Sequence, residues 1–98
     1  MSTTIAQIIL QQLGGNRFLA MTGAKQLVDL GNGLQFSIPR GATNKANKVR
    51  ITNIDDLYAV SFYSVRGVNV VLLSAHEMIY GDRLAGLFTE QTGLDTRL

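Results

Sequence analysis

Cysteine and tryptophan are absent from this 98-residue chain, proline and histidine each occur once, and only 16% of the residues are charged. Without cysteine there are no disulfides, thiolate metal ligands or cysteine nucleophiles, so the fold must hold by packing. A single histidine rules out the H-E-x-x-H zinc pattern, and the scattered carboxylates match no calcium loop, so no metal site or cofactor is expected. Low charge, against roughly 25% in a typical soluble domain, leaves part of the surface open to a partner, although the ten Gly and many Asn, Gln, Ser and Thr also account for it. No apolar run approaches the roughly 18 residues of a membrane helix. The first four residues carry no basic side chain of a signal peptide. A soluble intracellular protein without membrane contact is the expectation.

Length and a 46% hydrophobic content suit a single domain spanning residues 1–98. Thr4-x-x-Gln7 is a capping box ahead of an apolar stripe of Ile5, Ile8, Ile9 and Leu13, and Gly14 stops the helix. Leu84, Leu87 and Phe88 mark a second helix over 82–92, with Gly93 supplying the left-handed position that ends it. Between them lies a β-rich middle. Arg17 to Thr22 is apolar on both parities and predicts a strand covered on both sides, which bends onward through Gln26, Leu27 and Val28. Gly31-Asn32-Gly33 is a turn into 34–38, where Leu34, Phe36 and Ile38 face inward. Val49 and Ile51 alternate inward against Lys48, Arg50 and Thr52, and Tyr58, Val60 and Phe62 do the same after an Asx-rich turn. Val68 to Leu73, the most apolar stretch, is expected near the sheet centre. No internal repeat, heptad run or low-complexity segment is evident. The order predicts an α+β fold, an antiparallel four- or five-stranded meander bracketed by N- and C-terminal helices in two layers.

Candidate chemistry is sparse. His76 and Ser74 share a face if their strand continues, but no glycine-flanked elbow or orienting carboxylate accompanies them, and Glu77 points the other way. A structural role for His76 at the strand-to-helix connection, with Glu77, is expected, and no catalytic residue is assigned. Gly23-Ala24-Lys25 fails as a phosphate loop because Gln26 stands where Ser or Thr is needed. The charge distribution is more informative. Residues 1–50 hold six basic side chains against Asp29 alone, whereas 51–98 hold three against six. Arg40, Lys45, Lys48 and Arg50 fall within eleven residues that contain no acid, and Arg17 and Lys25 extend the patch if their strand lies nearby. This set is the candidate surface for nucleic acid or an acidic partner.

The runs Gln12 to Lys25 and Phe88 to Leu94 resemble small proteins encoded by tailed bacteriophages and prophages. That family has no settled activity, so the resemblance implies a context and no catalytic residue. The context is a phage accessory protein in the cytoplasm of a bacterial host cell, binding a host or phage protein as a host-factor or defence modulator. A nucleic-acid-binding module using the 40–50 segment on DNA or RNA is the alternative, and a virion structural or assembly protein is the second. A meander leaves two open strand edges, so a homo-oligomer, most simply a twofold dimer, is expected.

Overall fold

Both terminal helices form where their caps place them in the computed structural model, which describes residues 4–38 and 46–94. Helix α1 spans Ile5–Leu13, and its capping box is complete: the Gln7 amide donates to the Thr4 hydroxyl and the Thr4 amide to Gln7 Oε1, both at 3.1 Å. Its buried side is Ala6, Ile9 and Leu13, with Ile5 and Leu10 packed beside them, while Ile8 lies on the exposed side of the expected stripe. At the other end a 3₁₀ turn, Gly81–Arg83, leads into the last helix, Leu84–Thr92, labelled α3, which buries Leu84 and Phe88. Leu87 packs against the rim of the same cluster.

The segment read as a doubly covered strand is instead a helix, α2, Asn16–Thr22. Its apolar residues fit either period, and Arg, Leu, Ala and Met are strong helix formers with no β-branched residue before Thr22. Gly15 and Gly23, both at positive φ, bound it. Phe18 and Thr22, one turn apart, are its buried side.

Five strands follow: β1 Lys25–Asp29, β2 Gly33–Ser37, β3 Lys48–Ile54, β4 Leu57–Arg66 and β5 Asn69–Ile79. They form one antiparallel sheet in chain order. Register lines up two inward rows, Leu34–Ile51–Val60 and Phe36–Val49–Phe62, and all six residues are buried. Gly33 is required by close approach, since a Cβ there would stand 2.1 Å from the Ile51 carbonyl oxygen on β3. Asp55 and Asp56 both take positive φ in the two-residue β3–β4 turn, the geometry whose twist matches a hairpin.

The helices cover one face of this sheet. Phe18 of α2, Phe36 of β2 and Phe88 of α3 meet with ring centroids 5.2 to 6.1 Å apart, two of the pairs edge-to-face. Beneath Phe18 and Phe88 the two helices end identically. Thr22 and Thr92, fully buried, each donate to the carbonyl four residues back at 2.7 Å and accept the amide two residues ahead at 3.2 Å. A left-handed glycine follows each. The sequence thus does contain a short repeat, Phe-x-x-x-Thr-Gly, used twice as a helix ending.

One further expectation is reversed. The apolar stretch beginning at Val68 leads into an edge strand, because in an unbroken meander the last strand has a neighbour on one side only. No residue of β5 is buried, and Val70, Val71 and Leu72 are each more than half exposed. Among the described residues no helix is long and apolar enough to cross a membrane.

Phe88→Ala should destabilise the fold by about 3–5 kcal/mol, the cost of emptying a fully enclosed aromatic site. A chemical denaturation series followed by circular dichroism measures it, and an unchanged midpoint would contradict this packing.

Candidate binding face

The sheet face opposite the helices is solvent-facing, and strand alternation decides what it carries. Residues directly opposite in an antiparallel pair project to the same side, so register assembles two outward rows. Lys25, Ser37, Lys48, Tyr63 and Leu72 make one, running from β1 to β5; Gln35, Arg50, Ser61 and Ala75 make the next. Three cations from the basic half of the sequence therefore share this face. Toward β5 the face turns apolar through Tyr63, Val65, Val70 and Leu72.

Lys25 and Lys48 line one shallow depression of about 300 Å³ together with Gln26, Ser37 and Asn47. The Ser37 hydroxyl donates to Gln26 Oε1 at 2.9 Å, which fixes the polar floor. Arg50 is held in place: its Nε and Nη2 donate to Gln35 Oε1 at 3.1 and 2.9 Å, and its guanidinium carbon stands 5.8 Å from the Tyr63 ring centroid. A guanidinium fixed over an aromatic ring beside two lysines offers phosphate contacts and a stacking surface together.

Asn47 builds the β4 side of this depression. Its side chain pairs with the Val65 backbone in both directions, accepting from the amide at 2.8 Å and donating to the carbonyl at 2.7 Å. Its own amide donates to the Tyr63 carbonyl and its carbonyl accepts from Ile38, each at 2.9 Å. One residue thus continues the ladder beyond the start of β3 and ties β2 to β4. Nothing in its local sequence context signals this role.

The remaining basic candidates are placed differently. Arg17 stands on α2 in the helical layer, because the strand expected to bring it to the sheet is a helix. Arg40 and Lys45 lie outside the described residues. Tyr63 joins the cations, as the alternation of β4 foresees.

His76 does share a face with Ser74, and its Nε2 is 3.3 Å from the Ser74 hydroxyl oxygen. The pair lies opposite Val60 and Phe62, on the side of the sheet that carries the core, with the imidazole edge-on to the Phe62 ring at 5.9 Å. The expected role at the strand-to-helix connection gives way to one within β5, where the ring packs on the core margin. Among the described residues no three His, Cys, Asp or Glu side chains gather as a metal site would require.

Asn47→Ala should cost about 1–3 kcal/mol, because it strips both partners from a partly buried backbone pair at Val65. Thermal unfolding measures the loss, and amide exchange at Val65 should accelerate with it; an unchanged rate there would refute the clamp. The chain matches no protein-family model, no curated protein and no solved structure.

Proposed function

We propose that this protein acts by binding a macromolecule on the open face of its sheet, without turnover. The observation that carries this reading is the convergence of Lys25, Lys48 and Arg50 beside Tyr63 on one solvent-facing surface, continuous with an apolar strip on β4 and β5. Such a surface suits a partner that presents acidic groups next to apolar ones. In the context implied by the resemblance to tailed-phage proteins, that partner is a host or phage protein in the bacterial cytoplasm, and the protein serves as an accessory or host-modulating factor. His76 contributes nothing to this surface, since it sits on the opposite side of the sheet.

A second reading, nucleic-acid binding, is favoured by one specific arrangement: the guanidinium of Arg50 over Tyr63, next to the depression shared by Lys25 and Lys48. The two readings use the same side chains and separate by salt dependence. Removing one phosphate-neutralising cation reduces the slope of log K against log salt by roughly 0.7 to 0.9.

The test is affinity capture from infected cells, with and without nuclease, comparing the wild type, a Lys25→Ala/Lys48→Ala/Arg50→Ala variant and Arg17→Ala. The open-face variant should lose its partner while Arg17→Ala, altered in the helical layer, retains it. A partner that survives the triple substitution overturns the assignment of the face. For the nucleic-acid reading, direct titration with single- and double-stranded DNA and RNA should show salt-sensitive binding whose slope falls by roughly 2 to 3 in the triple variant. Salt-insensitive or undetectable binding by the wild type sinks that reading alone.

A further inference from the structure

The two edges of the sheet are built in opposite ways. Strand β1 has five residues, carries Lys25 and Asp29, and is irregular between Lys25 and Val28, where Gln26 takes a positive φ. Short length, charge and a bulge are the devices by which a sheet edge refuses another strand. Strand β5 has eleven residues, Asn69–Ile79, with Glu77 its one acidic or basic side chain apart from His76. Among the described residues it pairs with β4 alone. Along it Val70 is 62% exposed, Val71 and Leu72 55% each and Met78 75%, and Val68 in the preceding turn is 98% exposed. A monomer ordinarily leaves no more than a few hundred Å² of apolar surface in one patch, and a continuous strip of this kind suits an interface to which each partner contributes ~800 Å².

The two ends of β5 complement each other. Near its C-terminal end, Ile54, Leu57, Ala59 and Met78 line an apolar hollow of about 260 Å³ rimmed by Asp55 and Glu77. Met78 is held there at φ 57°, a strained conformation for a side-chain-bearing residue. Beside its N-terminal end stands the projecting Val68. One end thus offers an apolar knob, the other an apolar socket.

We infer that β5 is the dimerisation edge of this protein, pairing antiparallel with β5 of a second copy about a twofold axis beside Leu72 and Leu73. An antiparallel twofold pairing brings unlike ends of the strand together twice, so each Val68 reaches the partner's hollow. Register supports this axis. The irregularity between Leu72 and Ser74 moves the outward set from Val70 and Leu72 to Ala75, while Val71 and Ser74 project to the core side. An axis between Leu72 and Leu73 sets Val70 opposite Ala75 and Val71 opposite Ser74, matching faces as an antiparallel pair requires. The two sheets join as one of ten strands, whose outer edges are the two guarded β1 strands, so assembly closes at two. The open faces become continuous, with a central apolar strip flanked by two copies of the Lys25, Lys48 and Arg50 set. This arrangement does not depend on what the open face binds.

Sedimentation equilibrium of the full chain tests it. The wild type should approach twice the 10.7 kDa chain mass at micromolar concentration. Val70→Lys/Leu72→Lys, which puts charge on exposed positions, should raise the dissociation constant more than tenfold while circular dichroism stays unchanged. A wild-type monomer at high micromolar concentration overturns the inference, as does a dimer indifferent to the double substitution. If the double variant fails to fold, wild-type hydrogen exchange decides: amides from Val70 to Ala75 should gain protection as concentration rises, and protection gained elsewhere or nowhere refutes the edge pairing.

Discussion

Three phenylalanines from three separate elements hold the two layers together. Phe18 of α2 lies against both Phe36 of β2 and Phe88 of α3, so a helix near the start of the chain, a strand and the last helix share one contact. Edge-to-face geometry adds about 0.5–1.5 kcal/mol per pair beyond the area buried. In a chain without disulfides, this contact helps tie the C-terminal helix to the N-terminal ones, beside the direct packing of α1 against α3. The Thr-Gly endings of α2 and α3 belong to the same arrangement. Each buried threonine satisfies a carbonyl and an amide at a helix end enclosed by the core, where water cannot serve.

That commitment of one face leaves the other free. The helices seat on the inward rows of β2, β3 and β4, and alternation sends Lys25, Lys48, Arg50 and Tyr63 to the opposite side. The candidate surface is therefore a consequence of the core: a strand that buries Val49 and Ile51 presents Lys48 and Arg50 outward. Supporting bonds then restrict the surface. Gln35 and Tyr63 hold the Arg50 guanidinium, and Asn47 keeps β2 and β4 in register at the depression. Fewer rotamers are then left to be ordered in any contact this face makes.

Meander topology also fixes where the apolar excess appears. Consecutive antiparallel strands each pair with the next, so among the described residues β5 has no neighbour beyond β4. An apolar composition that elsewhere would mark a central strand here marks an exposed one. Strand β1, at the other edge, is also exposed throughout but is short, charged and bulged.

Much of the fold was legible in local residue chemistry. Thr4 and Gln7 announced α1, Gly93 ended α3, Gly31 to Gly33 made a turn, and period-two alternation marked the inward sets of β2, β3 and β4, because caps, turns and half-buried strands depend on neighbours a few residues away. From those sets followed the shared face of Lys48 and Arg50. What only the tertiary structure decided is what depends on distant partners. Arg17 to Thr22 fits both periods, and the helix prevailed because Phe18 finds Phe36 and Phe88 across the core while Thr22 is buried beneath it. Lys25 reached the basic face through the register of β1 on β2, and Arg17 was kept from it by the same helix. The apolar residues from Val68 onward state a preference for burial, but burial requires a covering element; the helices commit their surface to β2 to β4, and β5 is left with its edge and most of its side chains in solvent.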